Sequence, residues 1–472
     1  MITDPVASFE GYGLLSRAHS QAVRPTSASE AREALSAADG AGQTVAMRGA
    51  GRSYGDLALN DGGVALDCTL MNRVLAYDVE HGEITVEPGV TVAQLCKHVI
   101  ADGWWPPVIP GTSAVTLGGA LAADIHGKNN IPAGTLGDHV LRCTLALPSG
   151  EEITLTAGDG QDLSRYAIGS WGLLGCFTAI TLRLRRIYSG LVEQHQHAYG
   201  SLDALLSGLD GLAASSDHVV GWVDTSAQGA HLGRGLLRTS RELLPGEDPD
   251  PRRSLSASYQ SRTSLALRIA PAGLLPRLLR PLFKESAVGL INGLQWASGS
   301  RQSGRKGHRQ PYMPANFLLD SIPHLNDVYR PGGMAQHQSF VPGPVAREVF
   351  GEILTRSRRA GHVAGLAVLK KHVASHFPLG YLRDGYSLAL DYSVAPGAQA
   401  DINKLLRELN DLVIEAGGTF YLAKDSALTP EQFRRMYPAA TLATFAALKG
   451  RLDPRETLQS DLYRRVIRPA LG

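Results

Sequence analysis

The string Arg48-Gly-Ala-Gly-Arg-Ser-Tyr-Gly-Asp56 sets Gly49, Gly51 and Gly55 close together, directly behind the short strand-like run Gln43–Met47. Glycine takes positive φ without steric cost and lets another group come close to the main chain. A strand that empties into such a loop turns successive N–H groups toward one concave side, which suits a pyrophosphate. Ser53 adds a hydroxyl and Arg52 a charge at the rim. The loop lacks the Gly-Lys-Ser/Thr ending of a Walker sequence. Nor is it a GxGxxG turn that opens a helix with an acid at the usual distance. Spacing alone leaves two readings, a ligand-binding loop or a turn shaped only for folding.

A second glycine-rich stretch, Pro110-Gly111-Thr112-Ser113 with Thr116-Leu-Gly118-Gly119, offers three hydroxyls and a glycine pair that lets the chain pass beside a flat ring. His126 follows in Asp124-Ile-His-Gly127-Lys-Asn129. A lone histidine is as readily structural as catalytic, and both readings stand here. A third stretch, Tyr166–Gly175, spaces Gly169, Gly172 and Gly175 every third residue. It either lays a ribityl or adenine portion against the backbone or forms a tight helix crossing. Taken together, the three stretches read as walls around a phosphate-bearing cofactor, with one imidazole beside it.

A chain of 472 residues exceeds the usual size of one hydrophobic core, so two large domains are expected. Net charge of +2 supplies no general attraction for nucleic acid, and no zinc-finger or RNA-binding motif accompanies the basic patches. Cys68, Cys96, Cys143 and Cys176 lack CxxC spacing and read as buried free thiols of a reducing compartment, with no metal called for. No signal-like leader and no apolar run near the roughly 18 residues of a membrane helix are present. The expectation is cytoplasmic residence, with peripheral attachment at the inner face of the plasma membrane as the alternative.

Periodicity predicts a mixed α+β chain. Strands are expected at 64–67, 83–87, 140–147, 151–156, 176–184, 363–369, 386–394 and 420–424; helices at 91–103, 398–416, 430–437 and 454–468. Pro245–Ser256 reads as a mobile surface loop, and Ser298–His308 as a loop or disordered patch. Between them, Pro271–Trp296 interleaves leucines with Arg277, Arg280 and Lys284, as an internal helix or as a mobile lid facing an anionic lipid.

With these residues in view, the chain resembles the vanillyl-alcohol oxidase/p-cresol methylhydroxylase flavoprotein superfamily, and within it the branch that oxidises decaprenylphosphoryl-β-D-ribose. The resemblance rests on Arg48–Asp56, Trp105–Gly111, Val115–Gly119, Asp124–Asn129, Gly221–Asp224, Gly233–Gly235 and Tyr421–Ser426, and spans nearly the whole chain. It implies an FAD-binding domain over 1–190 completed by 419–472, and an antiparallel-sheet substrate cap over 191–418. Arg52 stands where many members carry the histidine that bonds FAD, so the cofactor is expected to be non-covalent. Arg48–Gly55, Pro110–Thr112, Thr116, Gly118, Gly119, His126, Gly127, Asn129, Gly172, Gly175 and Lys424 are the implied cofactor contacts, Ala50 and Ser53 among them. Tyr54, His126, Gln338, Lys370 and Lys424 are the implied substrate contacts, with the alignment around Gln338 blurred by Gln336, His337 and an additional residue before Phe340.

The resemblance further implies oxidation of a secondary sugar hydroxyl to a ketone, with Lys424 and His126 as the catalytic candidates and either one as base. Where the branch commonly carries a cysteine, this chain has Ala389. The substrate is expected to be a polyprenyl-phosphate sugar; a soluble sugar, alditol or aminocyclitol is the rival substrate. A non-catalytic flavin- or lipid-binding protein is the rival from another class. Oxygen, a quinone or a partner protein would accept the electrons. A separate NAD(P)H-dependent keto-sugar reductase would complete an epimerisation, because no nicotinamide site is recognisable here.

Overall fold

The computed structural model describes residues 2–261, 275–322 and 324–472, and has two lobes. In the first lobe, β1 (Ile2–Glu10), β2 (Arg17–Arg24), β3 (Val45–Arg48) and β4 (Val64–Asp67) form a sheet in the order β1-β2-β4-β3, with β4 parallel to both its neighbours. A second sheet has the order β5-β6-β10-β8-β9, from β5 (Val74–Asp78), β6 (Glu83–Val86), β8 (Val140–Ala146), β9 (Glu152–Thr156) and β10 (Cys176–Arg183). The short strands β7 (Trp104–Trp105) and β11 (Arg185–Arg186) pair with each other at its side.

The other lobe is one antiparallel sheet of eight strands. Its members are β12 (Leu191–Tyr199), β13 (His218–Val223), β14 (Gly235–Glu242), β15 (His308–Pro311), β16 (Gly333–Pro342), β17 (Leu366–His372), β18 (Gly385–Val394) and β19 (Thr419–Phe420). They run in the order β15-β12-β14-β13-β17-β18-β16-β19. The interior strand β18 is buried almost throughout, with Ser387 and Asp391 buried among its apolar and aromatic residues. This is the two-domain α+β architecture, an FAD-binding domain beside an antiparallel cap.

Local signals account for the elements around the site. Thr91 and Gln94 form a reciprocal capping box that starts the helix Val92–Val99 just after the Pro88-Gly89 turn. The helix Gln399–Glu415 buries Ile402, Leu405, Leu409 and Val413 on one face and stops at Gly417, whose φ is +77°. The two lobes share a core: the Trp105 and Tyr312 rings lie 4.6 Å apart, and Arg185 donates to the Tyr312 hydroxyl at 2.6 Å. An aromatic pair of this kind adds about 0.5–1.5 kcal/mol beyond its buried area.

Several expectations change. Pro245–Ser256 carries local structure of its own: the buried Asp248 carboxylate accepts from the Ser189 and Ser254 hydroxyls, and Asp250 caps a helical turn at Pro251–Ser254. Ser298–Gln302 is not a loop but the end of a helix, Glu285–Gln302, held where the Gln196 side chain donates to the Gly299 carbonyl at 3.0 Å. The expected strand 420–424 ends at Phe420, and Leu422–Lys424 coils into a 3-10 turn. Residues 454–460 are not helical: 454–455 make a turn and Glu456 takes φ +57°, and the expected helix begins only in the C-terminal helical segment 461–471. There Leu458 bridges in parallel to Val45, and the Val45 N–H donates to the Thr457 carbonyl at 2.7 Å, so the C-terminal segment lies alongside β3. A helix over Ala439–Leu452 was not anticipated, because its alanines blur the contrast between its faces. Within the 271–296 stretch, 271–274 lie outside the described residues, and Leu275–Leu279, Arg280–Phe283 and the 285–302 helix are helical. All four cysteines are buried free thiols.

Candidate active site

β3 ends by delivering Arg48, whose guanidinium donates to the Glu10 and Ala58 carbonyls at 3.1 and 3.2 Å and lies over the Phe9 ring. The loop then passes so close to its neighbours that a Cβ on Gly49 would collide with Thr116 Oγ1 and one on Gly51, at φ +64°, with the Arg48 guanidinium. Its far end is tied to the C-terminal region by the Tyr54 N–H, which donates to the Ala423 carbonyl at 2.8 Å. The second wall follows from the turn at Pro88: the Gly118 N–H donates to the Pro88 carbonyl at 2.8 Å, and an added Cβ would meet Pro88. In the third, Gly169, Trp171, Gly172 and Gly175 all take positive φ after the helix Asp162–Ala167 has ended. That stretch is a loop wall, not a helix crossing.

These walls line one cavity of about 370 Å³ that continues onto the face of the eight-stranded sheet. The glycine cradles, and the buried Arg52 Nε with no partner among the described residues, fit an anionic dinucleotide such as FAD.

On the sheet side, His126 is held from several directions. Its Nδ1 lies 2.7 Å from the Tyr381 hydroxyl, which itself donates to the Asp124 carbonyl at 2.9 Å. The imidazole must therefore carry its proton on Nδ1. Nε2 faces the Gln338 amide at 3.1 Å and the Lys370 amine at 3.4 Å. Burial, then Lys370, His372 and Lys424, hold the imidazole well below its ordinary pKa. Lys424 lies 3.5 Å from the centroid of the Tyr54 ring. Burial pulls its amine down to about 7, against an upward pull from Asp391. Burial raises the Asp391 carboxyl to about 6, while the amide it accepts from Gln336 opposes the rise. Lys370 is drawn down to about 8 by burial.

Arg48 to Tyr54, Pro110, Gly111, Thr112, Thr116, Gly118, Gly119, His126, Gly172, Gly175, Gln338, Lys370 and Lys424 all reach the cavity. Gly55, Gly127 and Asn129 are not among its lining residues. Gly55 packs against the Asp425 carbonyl, where a Cβ would collide. Asn129 clamps the preceding turn, accepting from the Ile109 N–H at 3.1 Å and donating to the Pro107 carbonyl at 2.7 Å; Gly127 makes room for it. Thr112 lines the cavity, yet its hydroxyl is committed to Asp320 of the other lobe, as is Ser113 at 2.6 Å. Sequence reasoning missed Asp391 and Tyr12, which line the cavity together with Gln336, the neighbour weighed in the alignment around Gln338, and Tyr421 of the Tyr421–Ser426 motif. The available signal was Asp391 two residues beyond Ala389 in a strand, which period-two alternation puts on the same face.

A family described as "FAD binding domain" matches residues 20–156. Decaprenylphosphoryl-beta-D-ribose oxidase of Mycolicibacterium smegmatis is 31% identical over 440 residues, 92% of each chain. The chain belongs to the vanillyl-alcohol oxidase/p-cresol methylhydroxylase flavoprotein superfamily. This flavoprotein is also 24% identical to L-gulono-1,4-lactone dehydrogenase of Mycobacterium tuberculosis over 458 residues, 96% of this chain and 97% of that one. Over 131 residues, 27% of this chain and 23% of the other, it is 37% identical to the mitochondrial D-lactate dehydrogenase [cytochrome] of Arabidopsis thaliana. It is an FAD-dependent oxidoreductase acting on CH–OH groups. FAD is held non-covalently, since arginine at 52 has no imidazole nitrogen to bond it. No described helix is long and apolar enough to cross a membrane.

Proposed function

We propose that this flavoprotein oxidises a secondary hydroxyl of a polyprenyl-phosphoryl sugar, decaprenylphosphoryl-β-D-ribose or a near relative, to the ketone. The observation that carries the reading is the single cavity joining the three glycine walls to His126, Gln336, Gln338, Lys370, Asp391 and Lys424. The near-full-length similarity to a decaprenylphosphoryl-ribose oxidase supplies the substrate class. The loop 48–54, the Pro110–Gly119 wall and Gly172–Gly175 hold the cofactor. Bound FAD supplies the two-electron acceptor.

Lys424 takes the hydroxyl proton. Its amine has a substantial neutral fraction near pH 7, and Asp391 stabilises the ammonium once formed. Beside bound FAD, that ammonium would also supply a positive charge to the cofactor. His126 serves instead as a fixed neutral acceptor that orients Gln338 and Lys370, because protonating a buried imidazole beside two lysines is unfavourable. Lys424→Met should therefore slow anaerobic flavin reduction in a single turnover by 10²-fold or more, on the order of a lost general base. Near-normal reduction would refute the assignment.

An exposed apolar strip suits a lipid-borne substrate. Leu278, Leu282, Leu290 and Leu294 are 66, 46, 68 and 60% exposed, and Leu279 and Phe283 pack onto the Tyr54 cluster at the cavity's edge. Leu318, itself 42% exposed, lines the cavity. We read this strip as a peripheral contact with an anionic bilayer, helped by Arg277, Arg280 and Lys284. Co-sedimentation with phosphatidylglycerol vesicles should fall when those three cations are neutralised, and equal sedimentation removes the proposal.

A further inference from the structure

The ionisable groups of the cavity wall are unevenly matched. Arg48, Arg52, Lys128, Lys370 and Lys424 line it with His126, and Asp391 is its acid among the described residues. The loop that carries Arg48 and Arg52 would meet the negative charge of a bound FAD pyrophosphate, and Asp391 answers Lys424. On the substrate side, Lys370 has no carboxylate partner among the described residues, and Lys128 has only the longer-range pull of Asp320, with no ion pair. Among the described residues the Lys370 amine has His126 as its hydrogen-bond partner, and Lys128 donates to the Asn316 carbonyl. Asp320, whose carboxylate accepts from Thr112 and Ser113, pulls the Lys128 amine upward without forming an ion pair with it.

Strand register adds a third cation. Arg238 of β14 stands opposite Val220 of β13, and Val220 lines the cavity. β13 pairs with β17 through Gly221 opposite Leu369 and Trp222 opposite Val368, so the same register carried one residue further brings Val220 opposite Lys370. Arg238 and Lys370 thus flank a short valine on one face of the sheet, two strand spacings or roughly 10 Å apart at the backbone. Lys128 comes from the other lobe, close enough that both Lys370 and Arg238 depress its amine. Among the described residues Arg238 has no carboxylate partner, although it is largely withdrawn from solvent. Buried cations without partners oppose folding, and a ligand that supplies the missing charge relieves them.

We propose that Arg238, Lys370 and Lys128 bind a phosphate ester carried by the sugar substrate and so place its hydroxyl toward Lys424. This rests on the sugar-oxidation reading above and adds to it a site for one substituent. A guanidinium engages two phosphate oxygens at once, and the two ammonium groups serve as point charges from the sheet and from the opposite lobe. A lipid phosphodiester and a free sugar phosphate present the same non-bridging oxygens.

The test uses the FAD-loaded protein with three probes: methyl β-D-ribofuranoside, β-D-ribofuranose 1-phosphate and farnesylphosphoryl-β-D-ribofuranose. Anaerobic flavin bleaching gives a half-saturating concentration for each, and calorimetry follows inorganic phosphate binding to the oxidised protein. The phosphate esters should saturate at concentrations at least about tenfold lower than the riboside, and Arg238→Gln should remove about tenfold of that preference and weaken phosphate binding. Arg238→Lys should restore part of it. Equal saturation by both esters assigns the preference to phosphate itself, and a further gain with the farnesyl ester adds its lipid; either result upholds the site. A wild type that takes the riboside as readily, or an Arg238→Gln protein that keeps its FAD and its full preference, overturns it. Phosphate binding without bleaching by any probe leaves the anion site standing and removes the sugar reading. Should Arg238→Gln lose FAD, Lys370→Met carries the same comparison.

Discussion

Arg465→Ala should loosen the joint between the cofactor loop and the segment that carries Lys424. Arg465, in the C-terminal helix, gives Nε and Nη2 to the two oxygens of Asp56 at 2.7 and 3.0 Å. It also reaches Asp425 at 2.9 Å and the Leu428 carbonyl at 2.7 Å. Asp56 closes the glycine loop, and Asp425 follows Lys424 directly. The carboxylate side chains are only 13 and 8% exposed, so loss of the guanidinium strands two like charges in a poorly hydrated place. Breaking a buried pair costs about 3–5 kcal/mol and an exposed one about 0.2–1 kcal/mol. With Arg465 itself 34% exposed, about 2–3 kcal/mol is expected, a fall of several degrees in melting temperature. Flavin fluorescence released on heating would report unfolding and cofactor loss together.

Asp425→Asn on the Arg465→Ala background removes one stranded charge. It keeps an oxygen for the Ala427 and Leu428 N–H groups, which Asp425 now satisfies at 3.0 and 2.8 Å. The double variant should recover about 1 kcal/mol. A single variant within about 0.5 kcal/mol of wild type, or a double variant less stable than the single, would refute the charge argument.

Gly49→Ala forces a methyl onto Thr116 Oγ1, and overpacking of that kind costs about 1–3 kcal/mol; equilibrium dialysis should find FAD binding weakened by tenfold or more. If Lys424 is the base, flavin reduction should rise with pH through about 7. Asp391 raises the Lys424 pKa and Lys370 lowers it, so Asp391→Asn should move that limb to lower pH and Lys370→Met to higher pH in stopped-flow profiles. Stability has its own sign. A lysine depressed from 10.5 in the unfolded chain to about 7 holds fewer protons when folded, so unfolding free energy should rise between pH 7 and 10.5, and Lys424→Met should flatten that rise in urea titrations. Thiol-directed inhibitors that act from the substrate side should leave the enzyme active, since Ala389 offers no thiol there and the two cysteines that line the cavity, Cys68 and Cys176, are buried in the FAD-binding lobe; Ala389→Cys should confer time-dependent inactivation detectable as a mass shift.

The local elements and the cofactor wall were legible in the chain because they rest on short-range rules. Gly49, Gly51 and the later glycine groups announce backbone that must bend or be approached, and arginine at 52 excludes an imidazole tether. The leucine spacing of 402–413 and the glycines after it mark a helix and its end. What the tertiary structure alone decided are encounters between distant segments: His126 with Tyr381, Asp320 with Ser113, Arg465 with Asp56, and Arg238 on the same sheet face as Lys370. Gly127 and Asn129 belong to the same motif as His126, yet they shape the turn and do not face the cavity. A motif constrains the backbone conformation of its own residues. Which side chains share a cavity, and whether their charges balance, depends on strand order and lobe packing, and a carboxylate such as Asp391 has its altered acidity only because several hundred residues close around it.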